Sequence, residues 1–166
     1  MNYRTNMTEI AAPTSVQIRR EDLSTLVAQR LISALNAELI ACYPEEGANF
    51  FRLDAEEVSE DRGAFLVAYL GGTPVGCGAV RQIEPGVAEI KRMYVDPTVR
   101  GRRVGRQIVH ALEAHARQLG AKRIVLETGP RQSDAIAMYQ HAGFTEIPLY
   151  GEYIGSQFSV CMAKDL

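Results

Sequence analysis

The chain has 166 residues, a formal net charge of −2, 46% apolar residues and 23% charged residues. That is the size of one domain, with enough apolar side chains to build its own core. The slightly acidic balance excludes a generally basic nucleic-acid binder, although a local basic patch remains compatible with it.

The three cysteines, Cys42, Cys77 and Cys161, are odd in number and belong to no C-x-x-C or Cys/His cluster. They predict reduced, buried thiols rather than a disulfide framework or a metal site, and cytoplasm as the compartment. The first residues mix polar and charged side chains with no apolar core, unlike a signal peptide. No stretch approaches the roughly 18 apolar residues of a membrane span, so no membrane partner is expected. Residues 1–14 are expected to form a flexible tail, and residues 15–166 a single domain.

Ser15 to Arg20 alternates and predicts a short strand. Asp22 is placed to cap a helix whose apolar stripe is Leu23, Val27, Leu31, Leu35 and Leu39, ending near Tyr43-Pro44. Asp54 to Glu60 reads as a short helix. Ala64 to Leu70 and Val75 to Arg81 read as strands joined at Gly71-Gly72, a hairpin pair. After the turn Glu84-Pro85-Gly86, Val87 to Val95 completes an antiparallel meander. Val104 to Leu119 predicts a helix. Its apolar face is Val104, Ile108, Leu112, Ala116 and Leu119, its polar face Arg106, His110, Glu113 and Arg117, and Gly120 ends it. Arg123 to Thr128 is a strand. Ser133 or Asp134 opens a short helix to His141, and Phe144 to Ile147 and Phe158 to Ala163 are the last strands.

Val87 to Thr128 is therefore strand, helix, strand, which makes its two strands parallel neighbours. The fold class is α/β with a mixed, α+β-like sheet: an antiparallel meander joined to a parallel strand-helix-strand unit, with helices on both faces. Where two such strands separate, a helix N-terminus can point into the opening.

The loop Arg100-Gly101-Arg102-Arg103-Val104-Gly105-Arg106 lies at that junction. A helix start offers unpaired N–H groups and partial positive charge, and four arginines add full charges that suit a diphosphate. By charge alone, a solvated basic turn or a nucleic-acid contact fits equally well. The loop is not a P-loop, and Gly76-Cys77-Gly78 is not a dinucleotide fingerprint.

Together with Glu89-Ile90-Lys91-Arg92-Met93-Tyr94-Val95-Asp96-Pro97 before it, this loop resembles the central motif of the GNAT superfamily of N-acetyltransferases. That motif is [Q/R]-x-x-G-x-[G/A] at a strand-to-helix junction. Arg100 and Gly105 match it, while Arg103 stands in place of the middle glycine. At an ordinary helix start with negative φ, Arg103 would still offer its N–H, so binding is expected to survive. Ala135 to Phe144 is similar to the family's A-x-x-x-Y-x-x-x-G-F segment, and the resemblance runs from about Val16 to Lys164.

The resemblance implies an acyltransferase that moves the acetyl group of acetyl-CoA to a primary amine by direct attack, without a metal. It implies a pantetheine arm along Met93, Tyr94 and Val95. The diphosphate would rest on Arg100, Gly101, Arg102, Arg103, Val104, Gly105 and Arg106. Tyr139 is the expected proton donor to the leaving thiolate and also borders the cofactor; its alternative is a core tyrosine. Glu89 is the candidate base, its alternative being a salt bridge to Lys91 or Arg81. Tyr43, Glu45, Glu46, Phe50, Tyr150 and Tyr153 lie in two stretches that border the acceptor site in the family. A small-molecule or peptide amine is the expected partner, with no nucleic acid, and a homodimer is possible through sheet edges. A CoA-binding module without catalysis is the alternative. His110 and His115, five apart, do not share a face as metal ligands would.

Overall fold

The strands are β1 (Val16–Arg20), β2 (Gly63–Leu70), β3 (Thr73–Glu84), β4 (Val87–Val95), β5 (Arg123–Thr128), β6 (Thr145–Ile147) and β7 (Val160–Asp165). The helices are α1 (Leu26–Cys42), α2 (Val104–Gln118) and α3 (Ser133–His141), with short 3-10 turns at Ala55–Val58, Pro97–Val99 and Gly151–Tyr153. These come from a computed structural model that describes residues 15–45 and 52–166. The expected tail, and Glu46 and Phe50, lie outside the described residues.

The seven strands form one sheet in the order β1-β2-β3-β4-β5-β7-β6. β1 to β4 are antiparallel neighbours, and β2 to β4 form the meander that the turns Gly71-Gly72 and Glu84-Pro85-Gly86 predict. The β2–β3 turn rests on Gly71 and Gly72, both at positive φ, which is what a two-residue hairpin of the primed type requires. β5 pairs parallel with β4, and β7 inserts antiparallel between β5 and β6.

The two sheet faces carry separate cores. On one, Leu66, Val80, Ile90, Ile124 and Leu126 pack against Val104, Ile108, Leu112 and Ala116 of α2 and Tyr139 of α3. On the other, Phe65, Val67, Tyr69, Cys77 and Ala79 pack against Ala28 and Leu31 of α1. Burial pushes the Cys77 thiol up to about 12, so it behaves as a small apolar core residue.

Three local readings are corrected. Helix α1 is capped by Thr25, whose hydroxyl accepts from Ala28 N–H at 3.2 Å. Asp22 instead closes a turn, accepting from Ser24 N–H at 2.8 Å. The cap position of α3 is Gln132 rather than Ser133 or Asp134. Glu113 is not on a solvated face of α2: it is buried and paired with Lys164 at 2.8 Å across the sheet end.

Candidate active site

The site begins with a break in pairing. β4 and β5 run in register from Val87↔Arg123 to Ile90↔Leu126 and then separate, although β4 continues to Val95 and β5 to Thr128. Arg92 marks the cause. It has φ +56, where a non-glycine residue is rarely found, and the β3–β4 register slips between Cys77↔Tyr94 and Ala79↔Lys91. This bulge turns the second half of β4 away from β5. The opening leads into a cleft of about 1120 Å³ lined by β4, the α2 loop, the end of β5, α3 and the end of α1.

Helix α2 starts at the cleft. Its first backbone bond runs from Gln107 N–H to Arg103 C=O, so the N–H groups of Val104, Gly105 and Arg106 have no acceptor inside the helix. No side chain caps this end and no acid lies in its first turn, which leaves its partial positive charge facing the cleft. Gly105 is needed by packing as well: a Cβ there would stand 2.7 Å from Met138 Sδ of α3.

Arg103 does not adopt the negative φ expected of it. It sits in the left-handed region at φ +62, ψ +18. The backbone therefore keeps the shape that glycine favours at this place in the motif, and arginine holds it at a cost of about 1–2 kcal/mol.

Of the residues expected to hold the cofactor, Met93, Tyr94, Val95, Arg100, Gly101, Arg103, Val104, Gly105, Arg106 and Tyr139 all line the cleft; Arg102 is exposed beside it. Arg100 is already engaged, donating to the Val95 carbonyl at 3.0 Å and pairing with Glu38 at 2.5 Å.

Tyr139 is buried, stacks edge-on against Phe144, and has no hydrogen-bond partner for its hydroxyl among the described residues. Among the described residues no fully buried side-chain oxygen lacks a partner, so this hydroxyl reaches the open cleft. Burial, with the Glu127 charge added, raises its pKa and keeps it protonated.

Glu89 is only 1% exposed and fully engaged. Arg81 donates to Oε1 at 2.9 Å through Nε, and the Tyr150 hydroxyl donates to Oε2 at 2.5 Å. Arg81 also reaches Glu57, and stands 3.7 Å from Glu152. Lys91 pairs with Glu152 at 3.2 Å and donates to the Arg52 carbonyl. Tyr150 therefore serves Glu89 rather than the cleft, and its hydroxyl pKa is raised by burial and that carboxylate.

Tyr43 and Tyr153 line the cleft. The Tyr43 hydroxyl accepts from Arg131 N–H at 2.9 Å, and Arg131 in turn pairs with Glu45 at the mouth.

Glu127 belongs to no motif and is not among the residues expected from the sequence. It is the penultimate residue of β5, and the signal for it is its place near the C-terminal end of a parallel strand, where α/β sheets put ligands. It lines the cleft, and burial raises its carboxyl to about 7.

The GNAT acetyltransferase family model matches residues 28–144, and the chain belongs to that family of acyltransferases. It is 37% identical over 153 residues to an IAA acetyltransferase of Azospirillum brasilense, covering 92% of this chain and 99% of that one. A Klebsiella pneumoniae protein described as an acyl-CoA N-acyltransferase is 32% identical and superposes with a TM-score of 0.76 over 91% of this chain and 97% of its own. The PaiA N-acetyltransferase of Thermoplasma acidophilum, solved in complex with coenzyme A, shares the fold at 18% identity and a TM-score of 0.68, over 92% and 99% of the two chains.

Proposed function

We propose that the chain transfers the acetyl group of acetyl-CoA to a primary amine of a small molecule or peptide, by direct attack of nitrogen on the thioester. The observation that carries this reading is the cleft at the β4–β5 separation, which faces the uncapped start of α2 and the Tyr139 hydroxyl together. The coenzyme A held by a structural neighbour supports the choice of cofactor.

In this reading the diphosphate accepts from the N–H groups of Val104, Gly105 and Arg106, with Arg103 and Arg106 adding charge. The pantetheine amides pair with the β4 backbone at Met93 to Val95, which β5 leaves unpaired. The C–N bond forms as nitrogen attacks the acetyl carbonyl, and the C–S bond then breaks. The thiolate leaves with a proton from Tyr139, which recovers one from the nitrogen through water. Making a lysine-like amine neutral at pH 7 costs about 4–5 kcal/mol, so a proton acceptor is needed at the outset. Glu89, with both oxygens taken, acts in this reading as a positioning residue: through Tyr150 it fixes the 148–157 loop against the sheet. Tyr43 and Tyr153 border the acceptor, and no nucleic acid or membrane takes part. The three free thiols suit the cytoplasm.

Thiol release from acetyl-CoA, followed with a panel of tyramine, spermidine, lysine, glucosamine and short peptides, tests the function. The expected result is amine-dependent release with at least one of them. Acetyl-CoA binding by calorimetry with no release from any amine would overturn it in favour of a non-catalytic CoA-binding module.

A further inference from the structure

We propose that Glu127 is the proton acceptor of the transfer, taking the ammonium proton of the acceptor amine at the opening between β4 and β5. This rests on the acetyl-transfer reading above and adds to it the group that prepares the nucleophile.

The placement follows from register. Ile90 and Leu126 form the last β4–β5 pair, and both face the α2 core. Their next residues, Lys91 and Glu127, therefore point to the opposite face, one on each side of the opening. Tyr139 reaches the same cleft from the α2 face. A thioester at the opening thus has a hydroxyl donor on one side and a carboxylate on the other. That arrangement suits an amine arriving from the α1 face and a thiolate leaving toward Tyr139.

The carboxylates around it are committed elsewhere. Glu57 pairs with Arg81 and accepts from Asp54 N–H. Glu89 is clasped by Arg81 and Tyr150. Glu152 pairs with Lys91. Glu127 belongs to none of the ion pairs among the described residues.

Its charge balance favours a base that works near neutrality. Burial is the main cause of its raised carboxyl pKa; Glu89 and Glu152 push the same way, while the Ser159 hydroxyl and the Lys91 ammonium oppose them. The other titratable groups that sense it stay neutral near pH 7. Tyr43, Tyr139, Tyr153 and Cys161 are all raised from their ordinary values, mainly by burial.

The proton balance closes. The ammonium gives its proton to Glu127, which passes it to water in the cleft, and the neutral nitrogen attacks. The second nitrogen proton ends on sulfur by way of Tyr139, so one proton is released per amide formed.

The test is the pH dependence of kcat with the panel alkylamine of highest turnover, in wild type, Glu127→Gln and Glu127→Asp. Wild-type kcat is expected to rise with pH through about 7 and level off. Glu127→Gln is expected to lose that limb and about 100-fold of rate at pH 7, recovering toward pH 10 as the free amine accumulates. Glu127→Asp, of the same charge, is expected to restore a limb. A Glu127→Gln variant that keeps the wild-type limb overturns this proposal alone, whatever its effect on KM or folding. Failure of wild type to release thiol with any amine overturns the acetyl-transfer reading and this proposal with it.

Discussion

Replacing Arg81 by methionine tests the account of Glu89. Arg81 is the sole cation on that carboxylate among the described residues, and the two side chains are 15% and 1% exposed. Solvent therefore does little to screen the loss. Removing one partner of a buried pair leaves an uncompensated charge and costs about 3–5 kcal/mol. For a chain of this size that lowers Tm by about 10 °C. Replacing both partners, Arg81→Met with Glu89→Leu, removes the stranded charge, so the double variant should recover most of the loss even though Glu57 and Tyr150 each lose a partner. Thermal and urea unfolding of the two singles and the double supply the cycle. The reasoning fails if Arg81→Met costs under about 1 kcal/mol, or if the double variant loses the sum of the singles.

Tyr139→Phe is expected to lower kcat by about 100-fold or more, with acetyl-CoA affinity and Tm little changed, because the hydroxyl has no partner to lose among the described residues; unchanged turnover removes it from the chemistry. Arg103→Gly should be more stable than Arg103→Ala by about 1 kcal/mol, reversing the usual helix order, because φ there is +62; if the alanine variant melts higher, the left-handed assignment is wrong. Glu127→Gln should stabilise the fold above pH 7. The folded carboxyl titrates at about 7 and the unfolded one near 4.5, so the wild type loses stability as pH rises through 7. Partial exposure limits the gain to about 1–2 kcal/mol at pH 8, and it should vanish below pH 4; an equal gain at both pH values contradicts the burial argument.

Much of the fold was legible because its elements obey local rules. The turns Gly71-Gly72 and Glu84-Pro85-Gly86 bounded the apolar runs of β2 to β4, and the 3.6-residue stripe of α2 with Gly120 fixed its ends. The motif gave the uncapped, basic start of α2 for the same reason: a helix start with basic residues is a local feature. What was not legible depends on distant contacts or strained backbone. Arg103 and Arg92 take positive φ because the loop and the bulge impose it, against arginine's own preference. The insertion of β7 between β5 and β6 is a matter of long-range pairing. For Glu89 the alternative of a salt bridge to Arg81 was legible and is the one observed, whereas the hydroxyl of Tyr150, far downstream, was not foreseen on it. Glu127 acquires its character only where β4 and β5 part, a register event that neither strand shows by itself.

Direct transfer within one cleft can be followed in a single-turnover experiment. Protein in excess is mixed with acetyl-CoA, first alone and then with an accepted amine, and thiol release and product masses are followed together. Direct transfer requires no thiol release and an unmodified protein until the amine is added, then one thiol for each acetylated amine. A burst of thiol without amine, with the protein one acetyl group heavier, or thiol release with no amide, would contradict it.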